Sequence, residues 1–231
     1  MRLYCFPYSG ASATAIYSRW RRLMPPGIDV RPLELPGRGH RLAEPAHTRF
    51  STLVEQLSQE LSVEARPPFS LFGHSLGGLL AFEMAHIFEH RFGLSPTVLF
   101  LSGVGAPGTQ DYSRYRRPYT NAQLIEELRT LKGTDRQVFE NPDLLALALP
   151  ILRADFQVCG SYAVSTERPR LRCPIHVFGG SQDTRAGAPS DWRRETANDF
   201  GCDVLPGDHF FIHPSESQVL ERVIQRMSNQ A

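Results

Sequence analysis

The chain has 231 residues, enough for one domain with a full core. At 41% hydrophobic and 21% charged it has the composition of an ordinary folded domain, and a formal net charge of +1 argues against a nucleic-acid partner recruited by bulk charge. No apolar run approaches the roughly 20 residues that a membrane helix needs, and MRLYCFPYSG lacks the apolar stretch of a signal peptide, so a cytoplasmic protein is expected.

In chain order, residues 2–6 read as a first strand, followed directly by the glycine-bearing loop FPYSGAS. Residues 30–35 read as the second strand and residues 50–64 as a helix. Then come strand 70–72, helix 76–91 and strand 98–102. From 111 to 162 the alternation lapses. That stretch contains helical patterns at 121–131 and 142–158, and an insertion of this size predicts a helical lid. Strands 175–178 and 203–205 follow, with a helix predicted at 192–198 and a closing helix at 217–227. Strand and helix in alternation predict an α/β domain spanning 1–231, with a mostly parallel sheet covered on both faces.

Gly73-His74-Ser75-Leu76-Gly77 fits G-x-S-x-G between an apolar strand and a helix, the context of a nucleophile elbow. The flanking glycines make room for a sharp turn, and Gly78 for close helix–sheet packing. The Gly-Lys-Ser/Thr ending of a phosphate loop is absent. A serine hydroxyl needs a base, and the base an orienting acid, in the chain order serine, acid, histidine and each after a strand. His209 in PGDHFF is the expected base. Asp183 at the end of GGSQD is the expected acid, with Asp208 and Asp191 as rivals. One oxyanion donor is expected from the Leu76 N–H, the other from the early loop, at Ser9 or alternatively Tyr8.

CFPYSGAS, LPGRGHRLAEP, GHSLGG, LPILRADF, FGGSQD and LPGDHFF occur in this order across nearly the whole chain. Together they resemble the type II thioesterases that accompany polyketide synthases and nonribosomal peptide synthetases, stand-alone α/β-hydrolases. RADF (residues 153–156) is similar to a lid-helix motif of that family. The resemblance implies hydrolysis of acyl or aminoacyl groups from the phosphopantetheine arm of an acyl or peptidyl carrier protein, clearing misprimed synthases. It implies no cofactor. Three departures stand out: a leading segment usual in the family is absent or shortened, Ser9 replaces a more frequent alanine, and Tyr8 a more frequent histidine.

Other signals compete with this reading. His86-Ile87-Phe88-Glu89-His90 matches a zinc-protease pattern, and His209 and His213 are four apart, but a partly exposed helix end and a proline-terminated turn are the expected roles; no metal is expected. Cys5, Cys159, Cys173 and Cys202 read as buried, inert thiols. Arg19, Arg21 and Arg22, or Arg114, Arg116 and Arg117, offer a surface for an acidic carrier, against the expectation of solvated faces. Leu124, Leu128 and Leu131 are candidates for an acyl pocket or for lid packing, and Tyr8, Phe156 and Phe210 for an acyl tunnel or a core seal. A carboxylesterase or lipase would use the same three side chains on oxygen esters, and a binding module could retain the turn without catalysis. A monomer is expected.

Overall fold

Both alternating sets of residues along most strands are apolar, so the sheet must be covered on two faces. The structure is a computed structural model that describes residues 1–131, 136–165 and 167–229. Its strands are β1 (Arg2–Phe6), β2 (Asp29–Pro32), β3 (Phe69–His74), β4 (Leu99–Ser102), β5 (Ile175–Gly180) and β6 (Phe200–Leu205). They form one six-stranded sheet, ordered β2-β1-β3-β4-β5-β6, with every neighbouring pair parallel.

On one face Tyr4, Phe6, Leu71, Leu101 and Val177 pack against α3 (Phe50–Glu64) and α4 (Leu76–Arg91). On the other, Leu3, Cys5, Phe72, Phe100 and Phe178 pack against α1 (Ala13–Tyr17), α2 (Trp20–Leu23) and α8 (Glu216–Ser228). The strand order reverses between β1 and β3, because the chain runs outward to β2 before returning to β3. Such a switch point opens a crevice at the carboxyl ends of the two strands.

Between β4 and β5 lie α5 (Asn121–Leu131), α6 (Arg136–Glu140) and α7 (Pro142–Gly160). Asn141 caps α7 by accepting from the N–H groups of Asp143 and Leu144, with Pro142 at its first turn. These helices bury a cluster of their own, with Tyr119, Leu124, Leu128, Leu149, Leu152 and Phe156. The side chain of Leu131 lies outside the described part of the structure. Among the described residues, no helix is long and apolar enough to cross a membrane.

Two predicted elements are corrected. Residues 192–198 do not form a helix: a 3-10 turn spans Pro189–Glu195, and the chain then becomes extended because Thr196 bridges to Leu171 and its hydroxyl donates to Cys173 O at 2.7 Å. The second strand ends at Pro32 rather than 35, because Glu34 turns inward to accept from Ser12 Oγ at 2.5 Å and from Ala13 N at 2.9 Å.

Candidate active site

Ser75 stands between β3 and α4 with φ 54° and ψ −118°. Among the described residues it is the sole non-glycine with positive φ, a conformation held only where the surroundings over-determine it. The glycines supply those surroundings. A Cβ on Gly73 would sit 1.9 Å from Gly77 O, and one on Gly77 would sit 2.3 Å from Phe6 O and 2.8 Å from Pro7 O. Gly77 therefore lets the loop after β1 lie directly against the first turn of α4. Tyr17 holds the same carbonyl from the other side, its hydroxyl donating to Phe6 O at 2.9 Å. A Cβ on Gly78 would meet only a side-chain atom at close range, Val104 Cγ1 at 2.5 Å. Gly77→Ala is thus expected to lower activity by about 10²-fold or more, because it displaces the backbone of the loop from which the second oxyanion donor is expected. Its Tm should fall further than that of Gly78→Ala, whose close clash is with the Val104 side chain and whose nearest backbone atom, Gly73 O, lies 3.3 Å away. Thermal scans and turnover of the two variants side by side would check the order.

The expected acid, Asp183, and the expected base, His209, lie in the loops after β5 and β6 respectively. Gly180 makes their crossing possible: a Cβ there would lie 2.5 Å from Asp208 O and 2.7 Å from Gly207 O. Ser181 N and Gln182 N donate across to Leu205 O and Gly207 O at 2.8 and 2.9 Å. This stitching brings His209 Nδ1 to 2.8 Å from Asp183 Oδ2, and His209 Nε2 to 3.0 Å from Ser75 Oγ. Burial by itself would raise the Asp183 carboxyl, but its hydrogen bond to His209, the charge interaction with that ring and the backbone N–H groups of Arg185 and Ala186 prevail and hold it below the usual 3.8. Asp208 instead accepts from Phe210 N at 3.0 Å, and Asp191 sits in the turn Pro189–Glu195. Behind His209 lies the fully buried His74, its Nδ1 2.8 Å from Ser102 Oγ. Burial, with His209 and His213 nearby, keeps His74 well below 6.5 and therefore neutral.

Ser75, His209, Leu76, Ser9, Tyr8, Phe156 and Phe210 line one pocket. Neither the Leu76 N–H nor the Ser9 N–H has an acceptor among the described residues. Tyr8 packs edge-on against Phe210, and its hydroxyl lies 3.0 Å from His213 Nε2. Burial pushes Tyr8 up to about 12 and lowers His213, and the direction of the hydrogen bond between them is set by the His213 tautomer. Leu124 and Leu128 are not brought to this pocket. They are buried within the insertion's own cluster, because the apolar stripe of α5 turns toward α7.

Several residues at the site were missed in the sequence. Gln110, Tyr112, Tyr115, Arg185 and Cys159 share the pocket wall. Arg38 and Asp155 form a buried ion pair, and Asp155 Oδ2 also accepts from Gly10 N at 2.7 Å. The signal that could have found it is a pair of charged residues within two of the quoted motifs, PGRG and RADF.

Other candidates have other duties. The Glu89 carboxylate accepts from Arg172 N, Cys173 N and Ser95 Oγ, so it fastens the approach to β5. Cys5, Cys159 and Cys173 are buried, and burial pushes Cys159 up to about 12. Cys202 is exposed, contrary to expectation, because it lies on the outward side of edge strand β6. Arg114, Arg116 and Arg117 fasten the segment before α5: Arg114 faces Tyr115 and Glu127, Arg116 donates to Gly160 O, and Arg117 covers the Tyr119 ring.

The thioesterase domain family matches residues 1–230. The gramicidin S biosynthesis protein GrsT of Aneurinibacillus migulanus is 37% identical over 233 residues, covering 98% of this chain and 89% of that protein. RedJ, a thioesterase from the prodiginine pathway in Streptomyces coelicolor, is similar in structure with a TM-score of 0.90 at 33% identity, covering 98% of this chain and 90% of that one. The type II thioesterase BorB from the borrelidin biosynthetic cluster gives 0.89 at 34% identity, covering 98% and 92%.

Proposed function

Since this chain belongs to the thioesterase domain family and has the α/β-hydrolase fold, we propose that it hydrolyses acyl or aminoacyl thioesters from the phosphopantetheine arm of carrier proteins, as an editing enzyme of polyketide or nonribosomal peptide synthesis. The observation that carries the chemistry is the line from Asp183 through His209 to Ser75, two contacts of 2.8 and 3.0 Å.

In the proposed mechanism His209 Nε2 takes the Ser75 proton as Oγ attacks the thioester carbonyl. Asp183 holds Nδ1–H, which fixes the tautomer and stabilises the ring once it is charged. The N–H groups of Leu76 and Ser9 receive the developing oxyanion. The tetrahedral intermediate collapses, the carbon–sulfur bond breaks, and His209 returns its proton to the departing thiol. Water, deprotonated by His209, then attacks the acyl-Ser75 ester, the bond from the acyl carbon to Oγ breaks, and His209 returns the proton to Oγ as the acid leaves. The insertion 111–162 acts as a lid in this reading: Tyr112, Tyr115, Phe156 and Cys159 from it wall the pocket around the acyl group and exclude bulk water.

The test is a matched pair, the same acyl group as a carrier-bound thioester and as a simple oxygen ester. The thioester is expected to turn over with a kcat/KM at least about 10²-fold higher, since only it presents the arm and the carrier. Equal or better hydrolysis of the oxygen ester would overturn the carrier-directed reading. A panel of acyl groups on one carrier would then define the preference.

A further inference from the structure

The loop that presents the Ser9 N–H is gripped on both sides of that residue. Before it, the Tyr8 hydroxyl meets His213. After it, Gly10 N–H donates to Asp155 Oδ2 at 2.7 Å. Asp155 belongs to α7, which also carries Phe156 and Cys159 into the pocket wall. Its carboxylate, 2% exposed, receives two N–H bonds of 2.6 Å from Arg38, 4% exposed. Arg38 donates in addition to Ala11 O at 3.4 Å.

Stability is a poor reason for such a pair. Desolvating two charges costs several kcal/mol, and apolar residues of similar volume often serve as well or better. Geometry is a better one. A carboxylate accepts from Gly10 and from both guanidinium nitrogens at fixed angles, where an apolar side chain would leave the Gly10 N–H free to turn. With Tyr8 and the Gly10 peptide plane both held, the Ser9 backbone has little freedom left. The guanidinium also cancels a buried negative charge that would otherwise oppose an oxyanion nearby.

Resting on the reading of Ser9 as an oxyanion donor, we propose that Asp155, aligned by Arg38, is a positioning residue for the oxyanion hole, so that seating the lid helix and completing the hole are one event. Because α7 supplies both the carboxylate and the pocket wall, a displaced lid leaves the second donor unplaced.

The experiment compares the parent chain with the double variant Arg38→Met/Asp155→Leu, which removes both charges and their hydrogen bonds while keeping the volume filled. The expected result is a Tm near that of the parent and a kcat lower by about 10²-fold, with KM on acyl-carrier within about twofold. A boronic acid that places an oxygen in the oxyanion hole should lose affinity by the same factor, which a purely structural role would not produce. A folded double variant with kcat within about threefold of the parent would overturn the proposal. Should the double variant not fold, Arg38→Lys, which keeps the charge but not the two-pronged geometry, decides by the same split: a fall in kcat alone supports the proposal, and unchanged kcat overturns it. Ser75→Ala run alongside separates the two levels, because turnover by that variant would sink the serine mechanism itself rather than the role of Asp155.

Discussion

Ser75→Ala is expected to lose about 10⁵- to 10⁶-fold in kcat on an acyl-carrier thioester while keeping the parental Tm. The activity loss follows from the geometry: the Ser75 hydroxyl is the atom His209 Nε2 faces at 3.0 Å, and no other nucleophile takes its place in the proposed chemistry. Residual catalysis over water would come from the oxyanion donors and from binding alone. The unchanged Tm follows from what the side chain does not do. Ser75 makes no capping bond to α4, and its backbone N–H donates to Ser102 O at 2.8 Å whichever side chain is present. Alanine bears the same penalty as serine at φ 54°, whereas Ser75→Gly relieves it and should raise stability by about 1 kcal/mol with the same loss of turnover. Thiol release and calorimetry on the three proteins would check both halves. Turnover by Ser75→Ala within about tenfold of the parent would remove the serine from the mechanism.

What was legible in the sequence was whatever is encoded locally. The bounds of α3, α4 and α5 follow from helical spacing and from the glycine-serine turn, and the structure has them at the expected residues. The order of Ser75, Asp183 and His209 could be read because each lies in a short loop after a strand, and in a parallel sheet all such loops reach the same edge. What was not legible depends on partners far away in the chain. Arg38 and Asp155 are 117 residues apart, and Tyr8 and His213 are 205 apart. No local window pairs them. Leu124 and Leu128 show the matching limit: helical spacing says that a stripe is buried but not whether it meets a ligand or another helix, and here α7 takes it. Trp192 is a third case. Its indole N–H donates to Val104 O at 2.8 Å, so a contact across the fold and the pairing of Thr196 with Leu171 outweigh a weak local preference for helix.

Asp183→Asn should cost about 10⁴-fold in kcat with little change in overall geometry. The amide can offer an N–H to His209 Nδ1 in place of accepting one, which leaves the proton on Nε2. That nitrogen then faces Ser75 as a donor and cannot take its proton. The same substitution has a second, independent consequence. The Asp183 carboxyl is held below 3.8 in the folded chain, despite burial, by His209 and by backbone N–H groups. Its folded value is depressed relative to the unfolded chain, so the unfolded chain binds more protons in the window between the folded and the unfolded values. The stabilisation is therefore fully present at neutral pH and is lost as pH falls through the folded value. Replacing the carboxyl removes this increment, so the Tm gap between parent and variant should be widest near neutrality and close as pH falls below 3.8 and through the folded value. Other acid groups titrate alike in both proteins and cancel in the difference. Parallel Tm–pH curves would show that Asp183 carries no depressed ionisation, and a variant retaining more than about a tenth of parental kcat would show that His209 does not depend on it for its tautomer.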